Sequence, residues 1–145
     1  MAKKSPTLTL LEENLKLARA SRTVLQESYD RAGPLLRSKK AELDIGERET
    51  LEALTARFAR FADFLVQRLF RTLDEHELVA EGTVLDCLNR MEKRGIIPDV
   101  QVFREIRQLR NERSDEVVSQ AHEKTPLLFQ ALVAFEDYVR LKKYF

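Results

Sequence analysis

Apolar residues recur at intervals of three and four along most of this chain, the spacing that lines one face of an α-helix, and no stretch shows the alternation of a half-buried strand. The first run comprises Leu8, Leu11, Leu15, Ala18, Leu25 and Tyr29, with Arg22 interrupting it. Thr9 and Glu12 match a capping box, in which a hydroxyl and a carboxylate three residues apart satisfy free amides at a helix start. Gly33 and Pro34 predict its end, because glycine accepts a left-handed cap and proline cannot continue the hydrogen-bond ladder. Residues 35–46 carry no sustained period and read as a connection. Asp44 and Glu47 then form a second capping-box pair ahead of the longest stripe: Leu51, Leu54, Phe58, Phe61, Leu65 and Leu69, widened by Phe64 and Phe70.

Three shorter segments complete the pattern. Val84, Leu85, Leu88 and Met91 form one apolar face after Gly82 and Thr83, with Lys93 and Arg94 placed to complement the helix dipole and Gly95 as cap. Ile96, Ile97 and Pro98 make an apolar turn, Asp99 is a candidate cap, and Val102, Phe103, Ile106 and Leu109 point inward on the next helix. Thr125 and Pro126 predict the start of the last, which carries Leu128, Ala131, Leu132, Phe135 and Val139. Each stripe can be buried only against the others. The expected fold is therefore all-α, an antiparallel up-and-down helical bundle of four to five helices, in a single domain over 1–145 with a flexible N-terminus at 1–6.

Composition sharpens this picture in a few places. Four Gly, four Pro, no Trp and 34% charged residues suit a soluble helical protein. The 25 basic and 24 acidic residues are interspersed and sum to +1, so bulk charge supplies no reason for nucleic-acid or membrane binding. No uncharged run approaches the roughly 20 residues of a membrane span, and the start of the chain lacks a signal-peptide pattern, so a cytoplasmic location is expected. Cys87 is the only cysteine and reads as a small buried apolar residue. Glu75, His76 and Glu77 lie together, but no second His or Cys is near enough to complete a metal site, and the triplet reads as a solvated helix end.

The stretch from Gly95 to Val118 holds the one discordant feature. Arg110 lies seven residues after Phe103 and four after Ile106, so helical geometry places a guanidinium on the line of the apolar face. Arg104, Arg107, Arg110 and Arg113 recur every third residue, a step of about 300°, and so spiral around the helix instead of forming one basic face. Asp115 lies about 140° from Arg110 on an unbroken helix, which disfavours a direct pair. Either the helix loosens near Ser114 or Arg110 meets its acid on another helix or subunit.

In EKRGIIPDVQVFREIRQLRNERSDEV, residues 92–117, the chain resembles the HEPN superfamily, particularly the small bacterial proteins encoded beside minimal nucleotidyltransferases. The resemblance extends in pattern over roughly residues 50–143. It implies an all-helical dimer whose hallmark is an Arg, usually followed by Asn, and a His after four to six intervening residues, often as RN, three residues, then H-E-Tyr. Arg110 and Asn111 occupy the first two places and Glu116 the acidic one, while Asp115 stands where the histidine belongs and Val117 where the tyrosine belongs. His122 falls outside the spacing and reads as a surface residue.

The departure bears on chemistry. In ribonuclease members the imidazole is the group able to exchange a proton near neutral pH, with no metal involved. An ionised aspartate repels phosphate instead. The resemblance thus implies a non-catalytic binding protein, a homodimer that partners a minimal nucleotidyltransferase as antitoxin or substrate-binding subunit, with no cofactor or metal. Two alternatives stand beside it: a metal-independent endoribonuclease toxin with an altered active site using Arg110 with Asp115 or His122, and a plain helical scaffold. Nucleotide or RNA stays open as a ligand class.

Overall fold

The computed structural model describes residues 5–77, 82–109 and 115–145, the side chain of Asp115 excepted. Among them the regular structure is helical throughout. Helix α1 spans Pro6–Ser38. Its N-cap is Ser5, whose hydroxyl accepts from the Leu8 amide at 3.2 Å, and Pro6 occupies the first helical turn. The helix therefore starts before Thr9 and includes Pro6, while residues 1–4 of the expected flexible N-terminus lie outside the described residues. Pro34 does not end it either. The helix passes through and stops at Ser38, with Lys39 as a left-handed cap at φ 49°. A proline removes one ladder bond from a helix; here Ala32 and Gly33 on the adjoining turn are buried, and packing holds the helix past it.

Helix α2 (Ile45–Phe64), a π-helical segment (Leu65–Phe70) and helix α3 (Arg71–His76) succeed one another with helical backbone at each join. The expected capping box is present, with the Glu47 amide donating to Asp44 at 2.8 Å and the Asp44 amide to Glu47 at 3.0 Å. Each widened π turn holds about one residue more than an α turn and so shifts the phase of the downstream residues by roughly 100°. Leu65, Val66, Leu69, Phe70 and Leu73 are all buried across this segment. Leu65, Leu69 and Phe70 are the residues that the α-helical stripe places inward.

Helix α4 (Val84–Lys93) has its own capping box from Thr83 and Asp86, and the chain turns through Gly95, at φ 77°, into helix α5 (Val100–Leu109). Helix α6 spans Asp115–Leu141. It begins ten residues before the predicted Thr125–Pro126 start and carries Pro126 internally. Thr125, fully buried, donates its hydroxyl to the Ala121 carbonyl at 2.7 Å and keeps that polar group satisfied beside the proline. α5 is described as far as Leu109, and Val117 and Val118 belong to α6; the expected loosening of the helix near Ser114 lies outside the described residues.

Cross-contacts fix the relative directions. Thr7 meets His76, Asn14 meets Thr72 and Ser28 meets Arg57, so α1 runs antiparallel to the α2–α3 rod. Arg19 meets Glu136 and Tyr29 meets His122, so α1 is antiparallel to α6 as well. One hydrophobic cluster draws on every helix, centred on Phe58, Phe61, Phe70, Phe103 and Phe135 with the surrounding leucines. Phe70 bridges its parts, 6.2 Å from the ring of Phe103 on α5 and 6.1 Å from that of Phe135 on α6. The all-α bundle that the periodicity predicts is the fold observed.

Candidate functional site

In sequence, the motif positions run from the residue after Leu109, the last described residue of α5, into the start of α6. Phe103, Ile106 and Leu109 are buried as predicted and anchor the last turns of α5. Arg110 and Asn111 lie outside the described residues. Asp115 opens α6, and its side chain likewise lies outside them. Glu116 is exposed and accepts a hydrogen bond from Gln120 at 3.2 Å, one turn along. Val117 is buried, 2% exposed, in the position where the family pattern has a tyrosine.

His122 is not the surface residue expected. Its ring stacks on Tyr29 with centroids 4.1 Å apart and planes within 6°, and its Nε2 lies 3.2 Å from the Tyr29 carbonyl. Gly33, one turn beyond Tyr29, lies beside the histidine: a Cβ there would stand 3.5 Å from His122 Nε2, an ordinary van der Waals contact. The histidine is engaged in holding α6 against α1.

The densest polar arrangement among the described residues lies elsewhere, on α3, α4 and the C-terminal end of α6. Asp74, 8% exposed at its side chain, divides its two oxygens between two arginines. Arg90 donates from Nε and Nη2 to Oδ2 at 2.9 and 2.8 Å, and Arg94 donates from Nη1 to Oδ1 at 2.6 Å. Arg94 also donates from Nε to Glu77 Oε1 at 2.9 Å. The other Glu77 oxygen accepts from the Tyr138 hydroxyl at 2.7 Å and from that of Tyr144. Next to them His76 shares a hydrogen bond with Thr7 at 2.9 Å and packs its ring edge-on against Tyr144. The triplet at 75–77 is accordingly no solvated helix end: Glu75 is exposed, whereas His76 and Glu77 are half-buried and tie α3 to α1, α4 and α6.

The sequence carried a signal for this cluster. Asp74 and Glu77 are three residues apart and Arg90 and Arg94 four, so each pair shares a helix face and the faces have opposite charge. Arg94, the C-cap of α4, does more than complement the helix dipole. It supplies the inter-helix guanidinium–carboxylate bridge that a buried arginine requires.

The charges here are locked. Burial works against ionisation of Asp74, but hydrogen bonds from Arg90, Arg94 and Cys87, with the charge of Arg94, outweigh it and hold the carboxyl below its usual range. Glu77 obeys the same balance, burial against the hydroxyls of Tyr144 and Tyr138 and the guanidinium of Arg94, and is also lowered. Burial and the Glu77 carboxylate push the phenols of Tyr138 and Tyr144 up. The Cys87 thiol, 3% exposed as expected for a buried apolar residue, is pushed up to about 12 by burial and by the charge of Asp74. At neutral pH the carboxyls are ionised and the phenols and thiol protonated. None of these groups has a proton to exchange there, which general acid–base catalysis requires. The arrangement is a clamp.

Among the described residues no group of three or more His, Cys, Asp or Glu side chains is placed to hold a metal, and no helix is long and apolar enough to cross a membrane. Comparisons with protein families, with curated proteins and with solved structures found no match to the chain.

Proposed function

We propose that this chain is a HEPN-like, non-catalytic binding protein that works as a homodimer and partners a minimal nucleotidyltransferase as its antitoxin or substrate-binding subunit. The observation that carries the reading is at the start of α6. Aspartate stands in the histidine position at residue 115, and the tyrosine position is taken by Val117, an apolar side chain sunk in the core. A buried valine offers no hydroxyl to a scissile phosphate, and an ionised aspartate repels one. What persists of the pattern suits binding better than cleavage. The dimer is supported by Leu10, Leu17 and Val24 on α1, which are 42%, 53% and 39% exposed and recur every seven residues along one side of the helix.

The test is co-expression with the product of a neighbouring nucleotidyltransferase gene, then co-purification and light scattering. A stable complex containing two copies of this chain is expected. A monomer that binds no nucleotidyltransferase would overturn the proposal. Growth arrest on expression, relieved by Arg110→Ala, would replace it with the ribonuclease reading.

A further inference from the structure

The clamp consumes Arg90 and Arg94, but Arg104 on α5 meets a different environment. Between α4 and α5 lies a groove of about 330 Å³, walled by Val84, Leu85 and Leu88 on one side and by Arg104 and Arg107 on the other. Leu85 is 41% exposed, and Leu88 forms a buried floor at 1%. Arg104 is exposed, with no ion pair or hydrogen bond among the described residues. Gln101 and Gln108 complete the arginine wall, so the lining carries two guanidiniums and no carboxylate.

Among the described residues, the acids next in sequence to Leu85 and Arg104 are turned to other work. Asp86 caps α4, accepting from the Thr83 amide at 2.9 Å, and Glu105 faces α6, 3.7 Å from Lys124. An exposed leucine across from Arg104 makes a surface of two characters, apolar along one wall and cationic along the other. The occupant that matches both is a helix with leucine-type residues on one face and carboxylates on its flank. The ten-residue helices α4 and α5, each about 15 Å long, give such a helix two ridges to lie between. Single-stranded nucleic acid fits less well, because its bases stack on aromatic side chains and the lining has none.

We propose that the α4–α5 groove docks an acidic amphipathic helix from a protein partner. Leu85 and Val84 receive its apolar face, and Arg104 its carboxylates. This deepens the binding-protein reading by naming the chemistry of the partner's contact segment. The groove can be probed without knowing the partner, so the two ideas fail separately: co-purification tests the partner, and peptide titration tests the groove.

The probe is a fluorescein-labelled 18-residue helical peptide with Leu on one face and Glu on the flanks, titrated with the full chain by anisotropy. Saturable binding is expected, weakening as salt rises, and absent for a scrambled peptide of the same composition. Arg104→Glu and Leu85→Asp should each weaken it about tenfold or more, and Arg104→Gln less, with thermal melting unchanged because both side chains are exposed. The proposal is overturned by any of three results: no saturable binding, equal binding of the scrambled peptide, or wild-type affinity in Arg104→Glu. Displacement of the peptide by oligouridine would also overturn it and assign the groove to nucleic acid.

Discussion

Arg94 and Arg104 lie ten residues apart, one at the end of α4 and the other on α5, yet the fold treats them in opposite ways. Arg94 is 11% exposed and bonded to both Asp74 and Glu77. Arg104 is exposed on the groove wall facing Leu85, and Asp86 and Glu105, each next in sequence to a lining residue, are engaged elsewhere. A guanidinium removed from water must be matched by carboxylates, and once matched it has no capacity left for a partner. One left in solvent contributes little to folding and keeps its charge available. The comparison separates an arginine that builds the bundle from one that addresses what docks on it.

The contrast can be broken most directly at Arg94. Arg94→Ala leaves Asp74 and Glu77 partly buried without their shared partner and should cost about 3–5 kcal/mol in a urea unfolding curve. A loss below about 1 kcal/mol would show that the clamp is incidental to stability. Acid tests the same cluster from the other side. Asp74 and Glu77 lie below their ordinary values of 3.8 and 4.5 in the folded chain, and unfolding restores those values. Their contribution is complete above about pH 5 and is lost as pH falls through the depressed folded values. The urea midpoint should therefore be flat from pH 7 to about 5 and fall below about 4, with a shallower fall in Asp74→Asn. A midpoint insensitive to pH in that window would contradict the assigned shifts.

Smaller effects sharpen the boundary of the clamp. Tyr144→Phe removes one hydroxyl donor to the Glu77 carboxylate, while Tyr138 and Arg94 remain. The expected cost is about 1–2 kcal/mol, measurable as a lowered Tm. Arg104→Glu marks the other extreme: its unfolding free energy should stay within about 0.5 kcal/mol of wild type while peptide binding is lost. If Arg104→Glu destabilises the chain as much as Arg94→Ala does, the distinction between the two arginines collapses.

The features legible in the sequence are those that depend on nearest neighbours along a helix. Periodicity identifies the buried faces of α2, α4, α5 and α6, and the Asp44–Glu47 pair marks a real cap, because both arise from contacts three or four residues apart. Prolines are misleading twice. Pro34 and Pro126 each remove one hydrogen bond, a cost of about 3 kcal/mol in isolation, but α6 is buried on both sides of its proline and α1 is buried up to its own, so tertiary packing outweighs the local penalty. The expectation of a solvated triplet at 75–77 fails for a related reason. What buries Glu77 is Arg94, seventeen residues on, and Tyr138 and Tyr144, more than sixty residues on.

The amino-acid sequence by itself determined an all-α bundle and its principal apolar faces, since each derives from the 3.6-residue turn of a helix. Only the tertiary structure decided which polar residues became part of the frame and which remained on the surface. Arg90, Arg94 and Arg104 are indistinguishable as residues, each at an amphipathic helix with acids close in sequence. Their roles diverge because α3 and the end of α6 bring Asp74 and Glu77 against α4, whereas the wall opposite Arg104 supplies only aliphatic side chains.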